Sequence, residues 1–307
     1  MRIIKQLAIG GPEVLDLQNR PTPSPAAGEV LIRNHAAGVN PVDIYIRTYA
    51  TPLIPGFPFA PGWDVSGVIE AIGADVVDFK PGDSVFGMPR FPGEAGAYTD
   101  YVIAPANEIA AKPEQLSHVE AAALPLAGLT AWQGLHDVGK LKKGEKVLII
   151  AAAGGVGHIA VQIAKALGAH VTATASSGKL DFLRSIGADV VLDSAKGALA
   201  AGTDFDLVLE PIYGEAVEAS LKTLKKGGRL IALLDPSPAA IEQAKAEGKE
   251  LHRIEVHPDG AGMRALADLV AAGKLMPRIA KTFPLEQAGQ AQEFLSAKPI
   301  GKIVLTI

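Results

Sequence analysis

The segment Lys146-Val147-Leu148-Ile149-Ile150-Ala151-Ala152-Ala153-Gly154-Gly155-Val156-Gly157 runs an apolar strand into a glycine-rich turn, and Val156 to Leu167 continues at helical period. Small residues at such a turn let backbone N–H groups approach a pyrophosphate, and the helix start adds unpaired donors and the positive end of its dipole. Ala153, Gly154, Gly155 and Val156 are therefore candidate phosphate contacts, with Gly157 admitting close packing of helix on strand. The chemistry this supports is binding of a dinucleotide.

Which dinucleotide is expected follows from the next strand. Versions of this turn that bind NAD place a carboxylate about 20 residues on, at the end of the second strand, to accept from the ribose hydroxyls. Here His158 to Leu180 contains no acid, and the strand closes on Ala175-Ser176-Ser177-Gly178-Lys179. Hydroxyls and an ammonium suit a 2′-phosphate, so Ser176, Ser177 and Lys179 point to NADPH. A charge pair ~4 Å apart is worth ~1 kcal/mol in water and ~4 kcal/mol at an effective dielectric of ~20. The plainer alternatives are a tight turn without ligand and a Lys179 that is simply solvated at a helix start.

The elements that must carry these residues alternate strand and helix. Strands are predicted at His170 to Ala175, Asp189 to Leu192, Asp206 to Glu210, Arg229 to Leu234 and Leu251 to Val256. Helices are predicted at Lys179 to Ile186, Glu215 to Leu224, Ala239 to Glu247 and Gly262 to Ala272. Runs such as Val-Leu-Ile-Ile are apolar on both faces, as in a parallel sheet covered by helices on each side. A doubly wound α/β sheet of about six strands follows. The first third differs, because most of the 22 prolines fall before residue 126 among short β-rich runs at Glu29 to Asn34, Val65 to Ile72 and Tyr98 to Ala104. Proline at that density suits short strands and turns, hence an irregular barrel or sandwich. A last strand, Lys302 to Thr306, follows a helix near Leu285 to Ser296.

Composition narrows the function. The 307 residues are 48% hydrophobic and 20% charged, enough for two domains with real cores. A net charge of −4 without long runs of either sign argues against a nucleic-acid partner. With no cysteine, thiolate zinc sites, disulfides and a cysteine nucleophile are excluded, and the 7 histidines are scattered. The 18 residues Val147 to Ala164 carry no formal charge, but their glycines, His158 and Gln162 fit a strand, turn and helix better than a membrane span. No secretory signal precedes them, so a cytoplasmic protein with no membrane partner is expected.

Five segments together resemble a known family: Gly38-Val39-Asn40-Pro41-Val42-Asp43, Pro61 to Gly67, Leu124 to Trp132, Ala151 to Gly157, and Gly301-Lys302-Ile303-Val304-Leu305. The chain is similar to the zinc-free branch of the medium-chain dehydrogenase/reductase superfamily, and within it to quinone oxidoreductase-like proteins. That resemblance implies a GroES-like β-barrel catalytic domain, residues 1–117 completed by 276–307, and a Rossmann domain, 118–275. It also implies NADPH in a cleft, a small-molecule electron acceptor, and a homodimer through the Rossmann edge strand. Zinc-dependent relatives carry a cysteine where Asn40 stands and a histidine where Trp63 stands, so the ligands that would polarise a carbonyl are missing.

An acceptor that needs no Lewis acid is then expected, either a quinone or an enal or enone protonated at its α-carbon. The resemblance places Asn40, Tyr45 and Tyr49 in the catalytic set, with Tyr45 at the quinone reductases' pocket tyrosine. Tyr49 matches the enoyl reductases' proton donor only across a gap. A phenol with ordinary pKa ~10 is protonated at neutral pH and can donate. Asn40, which either contacts cofactor or acceptor or simply fixes the turn before Pro41, is also counted with the cofactor contacts. So are Thr130 at a helix start, Ser194, Ile212 and Leu233. Pro211-Ile212-Tyr213 departs from the small, glycine-rich sequence usual in the family after the fourth strand. A non-catalytic NADPH-binding sensor or structural protein is the third expectation.

Overall fold

The computed structural model describes all residues except Ala198, Leu199 and Ala201. In chain order the first elements are β1 (Arg2–Gln6), β2 (Leu15–Asn19), β3 (Glu29–Val39), α1 (Pro41–Thr48), β4 (Asp64–Ile72), β5 (Ser84–Gly87), β6 (Tyr101–Pro105), β7 (Ile109–Ala111), α2 (His118–Ala121) and α3 (Pro125–Trp132). Then come β8 (Lys146–Ile149), α4 (Gly157–Ala166), β9 (His170–Ala175), α5 (Leu180–Ser185), β10 (Val190–Asp193), β11 (Phe205–Glu210), α6 (Glu215–Leu221), β12 (Leu224–Ala232), α7 (Pro238–Ala246) and β13 (Glu250–Arg253). The chain ends with α8 (Gly260–Ala271), β14 (Ile279–Pro284), α9 (Ala288–Phe294) and β15 (Lys302–Thr306).

These form two compact units, one of Met1–Leu129, His257–Ala271 and Pro277–Ile307, the other of Thr130–Val256 and Ala272–Met276. The division therefore falls inside α3, twelve residues beyond the expected 117/118. Helix α8, expected with the parallel sheet, instead belongs to the first unit. The reason is contact at glycine: a Cβ on Gly260 would lie 2.4 Å from Asn107 O, and one on Gly262 would lie 2.7 Å from Leu129 Cδ2.

The first unit is organised by a sheet in the order β14-β15-β3-β4-β5-β7, with β6 also paired to β3. Long strand β3 serves three neighbours because it bends, its register with β4 shifting at Leu31/Ile32 and at Asn34/Ala36. Gly67 permits the close approach of β4, since a Cβ there would stand 2.1 Å from Arg33 O. The alternating inward residues Val30, Ile32, Val65, Ile69, Val85, Val102 and Ile109 make one buried cluster, each such side chain contributing roughly 1.5–3 kcal/mol by leaving water. The returning tail pairs β15 antiparallel to β3, over the span predicted for it.

In the second unit the sheet order is β10-β9-β8-β11-β12-β13, every pairing parallel. This is the doubly wound arrangement predicted, six strands with the order reversing between β8 and β11. Residues Val147 to Ile149 are fully buried and His158 to Ala164 are buried throughout, as two-sided coverage requires. Strand β12 starts at Leu224, five residues before its predicted start, and β13 stops at Arg253, three before its predicted end.

Candidate functional site

In the second unit the glycine turn joins β8 to α4 at the C-terminal edge of the sheet, beside the reversal of strand order where ligands of such sheets bind. Ala151 enters the turn with φ +51°, a left-handed conformation rare for a residue with a Cβ. Strand β9 holds the turn from one side: Thr174 O accepts from Ala152 N at 2.8 Å and Thr174 Oγ1 accepts from Ala151 N at 3.3 Å. From the other side the buried ring of His158 donates from Nδ1 to Gly154 O at 2.8 Å. Gly157 packs as expected, for a Cβ there would stand 2.6 Å from Ala152 Cα. A Cβ on Gly154 would meet only Ala151 O, at 3.4 Å, so this side of the turn is open.

These features fit a dinucleotide. The first turn of α4 supplies amides without intrahelical acceptors around Val156 and Gly157. Ser176, Ser177 and Gly178 are exposed at the end of β9 and Lys179 is half-buried, which leaves hydroxyls and an ammonium at the end of the strand next to the glycine turn. Ser194 is exposed after β10, Ile212 is exposed after β11, and half-buried Leu233 follows β12 with its N–H donated to Glu210 O at 3.0 Å. Most of the predicted cofactor residues thus lie along one edge of one sheet. Two are placed elsewhere: Asn40 lies in the first unit, and Thr130 is not at a helix start but five residues into α3, buried, because Pro125 occupies the first position.

Two acidic residues at this edge escaped the sequence reading. Asp193 closes β10 beside Ala175 and accepts from Ala195 N at 3.0 Å. Glu210 closes β11, is 1% exposed, and is pushed up to about 7 by burial. Its Oε1 accepts from Ile212 N at 2.9 Å and its Oε2 accepts from Ser220 Oγ at 2.5 Å. The signal was present in the sequence, an acid ending the apolar run Leu207-Val208-Leu209.

In the first unit Asn40 and Trp63 are both fixed internally. Asn40 is 1% exposed; its Nδ2 donates to Asp64 Oδ2 at 2.9 Å and its Oδ1 accepts from Lys302 Nζ. Asp64 also accepts from Leu126 N at 2.6 Å and pairs with Lys302 at 3.3 Å. Asn40 thus ties the turn before Pro41 to β4 and β15, and Asp64 carries the connection on to α3. Trp63 is fully buried, donating from Nε1 to Gly93 O at 2.7 Å with its ring 5.1 Å from that of Phe91. Asp43 accepts from Asn40 N at 2.7 Å and from Tyr98 Oη at 2.8 Å, and burial lifts its carboxyl to about 7.

Tyr45 and Tyr49, at the end of α1, are 48% and 59% exposed with ring centroids 5.6 Å apart. The structure brings the two candidate phenols together rather than choosing between them. Among the described residues no group of three or more His, Cys, Asp or Glu is placed to hold a metal ion, and no helix is long and apolar enough to cross a membrane.

Two family models match the chain. A family model described as an alcohol dehydrogenase GroES-like domain matches residues 26–114, and one described as a zinc-binding dehydrogenase matches residues 186–305. The chain is 34% identical to the quinone oxidoreductase of Mus musculus, covering 100% of this chain and 98% of that protein. It is 36% identical to the mitochondrial NAD(P)H oxidoreductase RTN4IP1 of Bos taurus, covering 86% and 77%. Among solved structures, the quinone oxidoreductase from Coxiella burnetii matches with TM-score 0.93 at 34% identity over 100% and 99% of the two chains. A mycobacterial protein complexed with NADPH matches at 0.88 and 32% over 100% of both. The enoyl reductase CurK matches at 0.88 and 31% over 99% and 98%. With its GroES-like first unit and Rossmann second unit, the chain is an NAD(P)H-dependent oxidoreductase and belongs to the quinone oxidoreductase-like, zinc-free branch of the medium-chain dehydrogenase/reductase superfamily.

Proposed function

We propose that this enzyme transfers hydride from NADPH to a quinone without a metal. The observation that carries the choice of acceptor is the pair Asn40 and Trp63, standing where zinc-dependent relatives have ligands. One is an amide bonded to Asp64 and Lys302, the other an indole packed on Phe91. Neither side chain polarises a carbonyl, so the acceptor has to be electrophilic by itself, as a quinone is. NADPH, when bound, supplies the hydride. The chain's part is to seat the pyrophosphate on Gly154 to Gly157, to recognise the 2′-phosphate through Ser176, Ser177 and Lys179, and to align the two reactants. The hydride supplies one hydrogen of the hydroquinone and a single proton from solvent supplies the other. Relatives named quinone oxidoreductase support this reading along the whole chain. Purified protein with NADPH and a panel of quinones should lose absorbance at 340 nm above background; no loss with any quinone overturns the reading.

A second reading rests on the exposed phenols. If Tyr49 protonates the α-carbon of an enone, the enzyme is a double-bond reductase, as the likeness to an enoyl reductase suggests. Tyr49→Phe distinguishes them: enone turnover should fall at least tenfold and quinone turnover should hold, because only the first needs the phenol.

A further inference from the structure

We propose that Glu210 is a positioning residue for the cofactor, acting through the Pro211-Ile212-Tyr213 loop at the point where the strand order reverses. The inference rests on the reading that NADPH binds along this edge. Strand β11 lies directly beside β8, the strand that carries the glycine turn, and Ile150 N donates to Leu209 O between them at 3.1 Å. The residue that closes β11 therefore stands at the mouth of the ligand crevice.

The loop after it needs an anchor. Pro211 brings no N–H, Ile212 and Tyr213 are 46% and 65% exposed, and Gly214 turns the chain at φ +81°. Its first available amide, Ile212 N, is bonded to Glu210 Oε1, while Glu210 Oε2 is held by Ser220 on α6. One carboxylate thus joins the loop, the strand end and the helix behind it. The backbone O of Glu210 accepts from Leu233 N as well, so two predicted cofactor contacts, Ile212 and Leu233, hang on the same residue.

A carboxylate buried with two neutral donors is an expensive choice for holding a loop. An apolar residue would pack this strand end at less cost, as Leu207 to Leu209 do along the rest of the strand. What the carboxylate adds is two acceptor atoms at fixed separation, which an apolar residue lacks. Glutamine keeps the shape, an acceptor for Ile212 N and a donor for Ser220; leucine keeps the volume alone.

The test is calorimetric titration of the full-length chain with NADPH, with amide exchange of residues 211–214 followed by mass spectrometry. Glu210→Leu should raise the NADPH Kd at least tenfold and speed exchange in the loop, while Glu210→Gln should bind within threefold of the unsubstituted chain. Should Glu210→Leu not fold, Ser220→Ala, which removes one of the two donors, should raise Kd about threefold. Wild-type affinity in Glu210→Leu or Ser220→Ala, or a Glu210→Gln as weak as Glu210→Leu, overturns the inference alone. An unsubstituted chain that binds no NADPH overturns the cofactor reading and this inference with it.

Discussion

Lys179 and Ala151 are the residues at which single atoms decide an outcome. Removing the ammonium in Lys179→Ala should weaken NADPH at least fivefold and leave NADH within twofold, as read by titration of both coenzymes. The ratio follows from a charge interaction of about 1 kcal/mol or more that only the 2′-phosphate feels. Equal losses would mean that Lys179 does not recognise the phosphate. Ala151 holds φ +51°, which costs an L-residue about 1 kcal/mol relative to glycine. Ala151→Gly should therefore shift the urea midpoint upward by up to about 1 kcal/mol of stability without changing the turn.

At the scale of the element, helix α4 is set against β8 by Gly157. A methyl group there has to displace Ala152 Cα from 2.6 Å, so Gly157→Ala should cost roughly 1–3 kcal/mol in urea unfolding. NADPH affinity should fall with it, because the helix start moves with the turn. This element was legible in the sequence, since an apolar strand, a glycine turn and a helical period are all local patterns. The same holds for the central strands β8 and β11, whose runs Val147 to Ile149 and Leu207 to Leu209 are apolar on both faces. Asn40 shows where legibility ended: its neighbours Asp64 and Lys302 lie 24 and 262 residues away, and no spacing rule couples positions that far apart. The misplacement of α8 has the same origin. Its amphipathic period identified a helix, while the glycines that seat it against Asn107 and Leu129 express their fit only after folding.

For the whole molecule, buried titratable groups set the pH range of stability. Burial raises Asp43 and Glu210 to about 7, so both favour the protonated form inside the fold. Their contribution is complete below the ordinary carboxylate range and is lost as pH rises through about 7. His118 has the opposite sign: burial first, then His35 and Lys112, lowers it to about 4. Its contribution is complete above pH ~6.5 and is lost as pH falls toward 4. Where the windows overlap, two carboxyls outweigh one imidazole, so urea midpoints measured from pH 4 to 9 should fall as pH rises from about 4 to about 7 and level off above it. Glu210→Gln should make that fall shallower, recovering up to roughly 3 kcal/mol at pH 8, the equivalent of its displacement.

The placement of β15 between β14 and β3 has a consequence for biosynthesis. Residues 302–306 complete a sheet whose central strand begins at Glu29, so residues about 270 positions apart must both have left the ribosome before that sheet can close. The parallel sheet has all its strands once Arg253 has emerged. The nucleotide-binding half can thus assemble during translation, while the half bearing Tyr45 and Tyr49 waits until Thr306 has emerged.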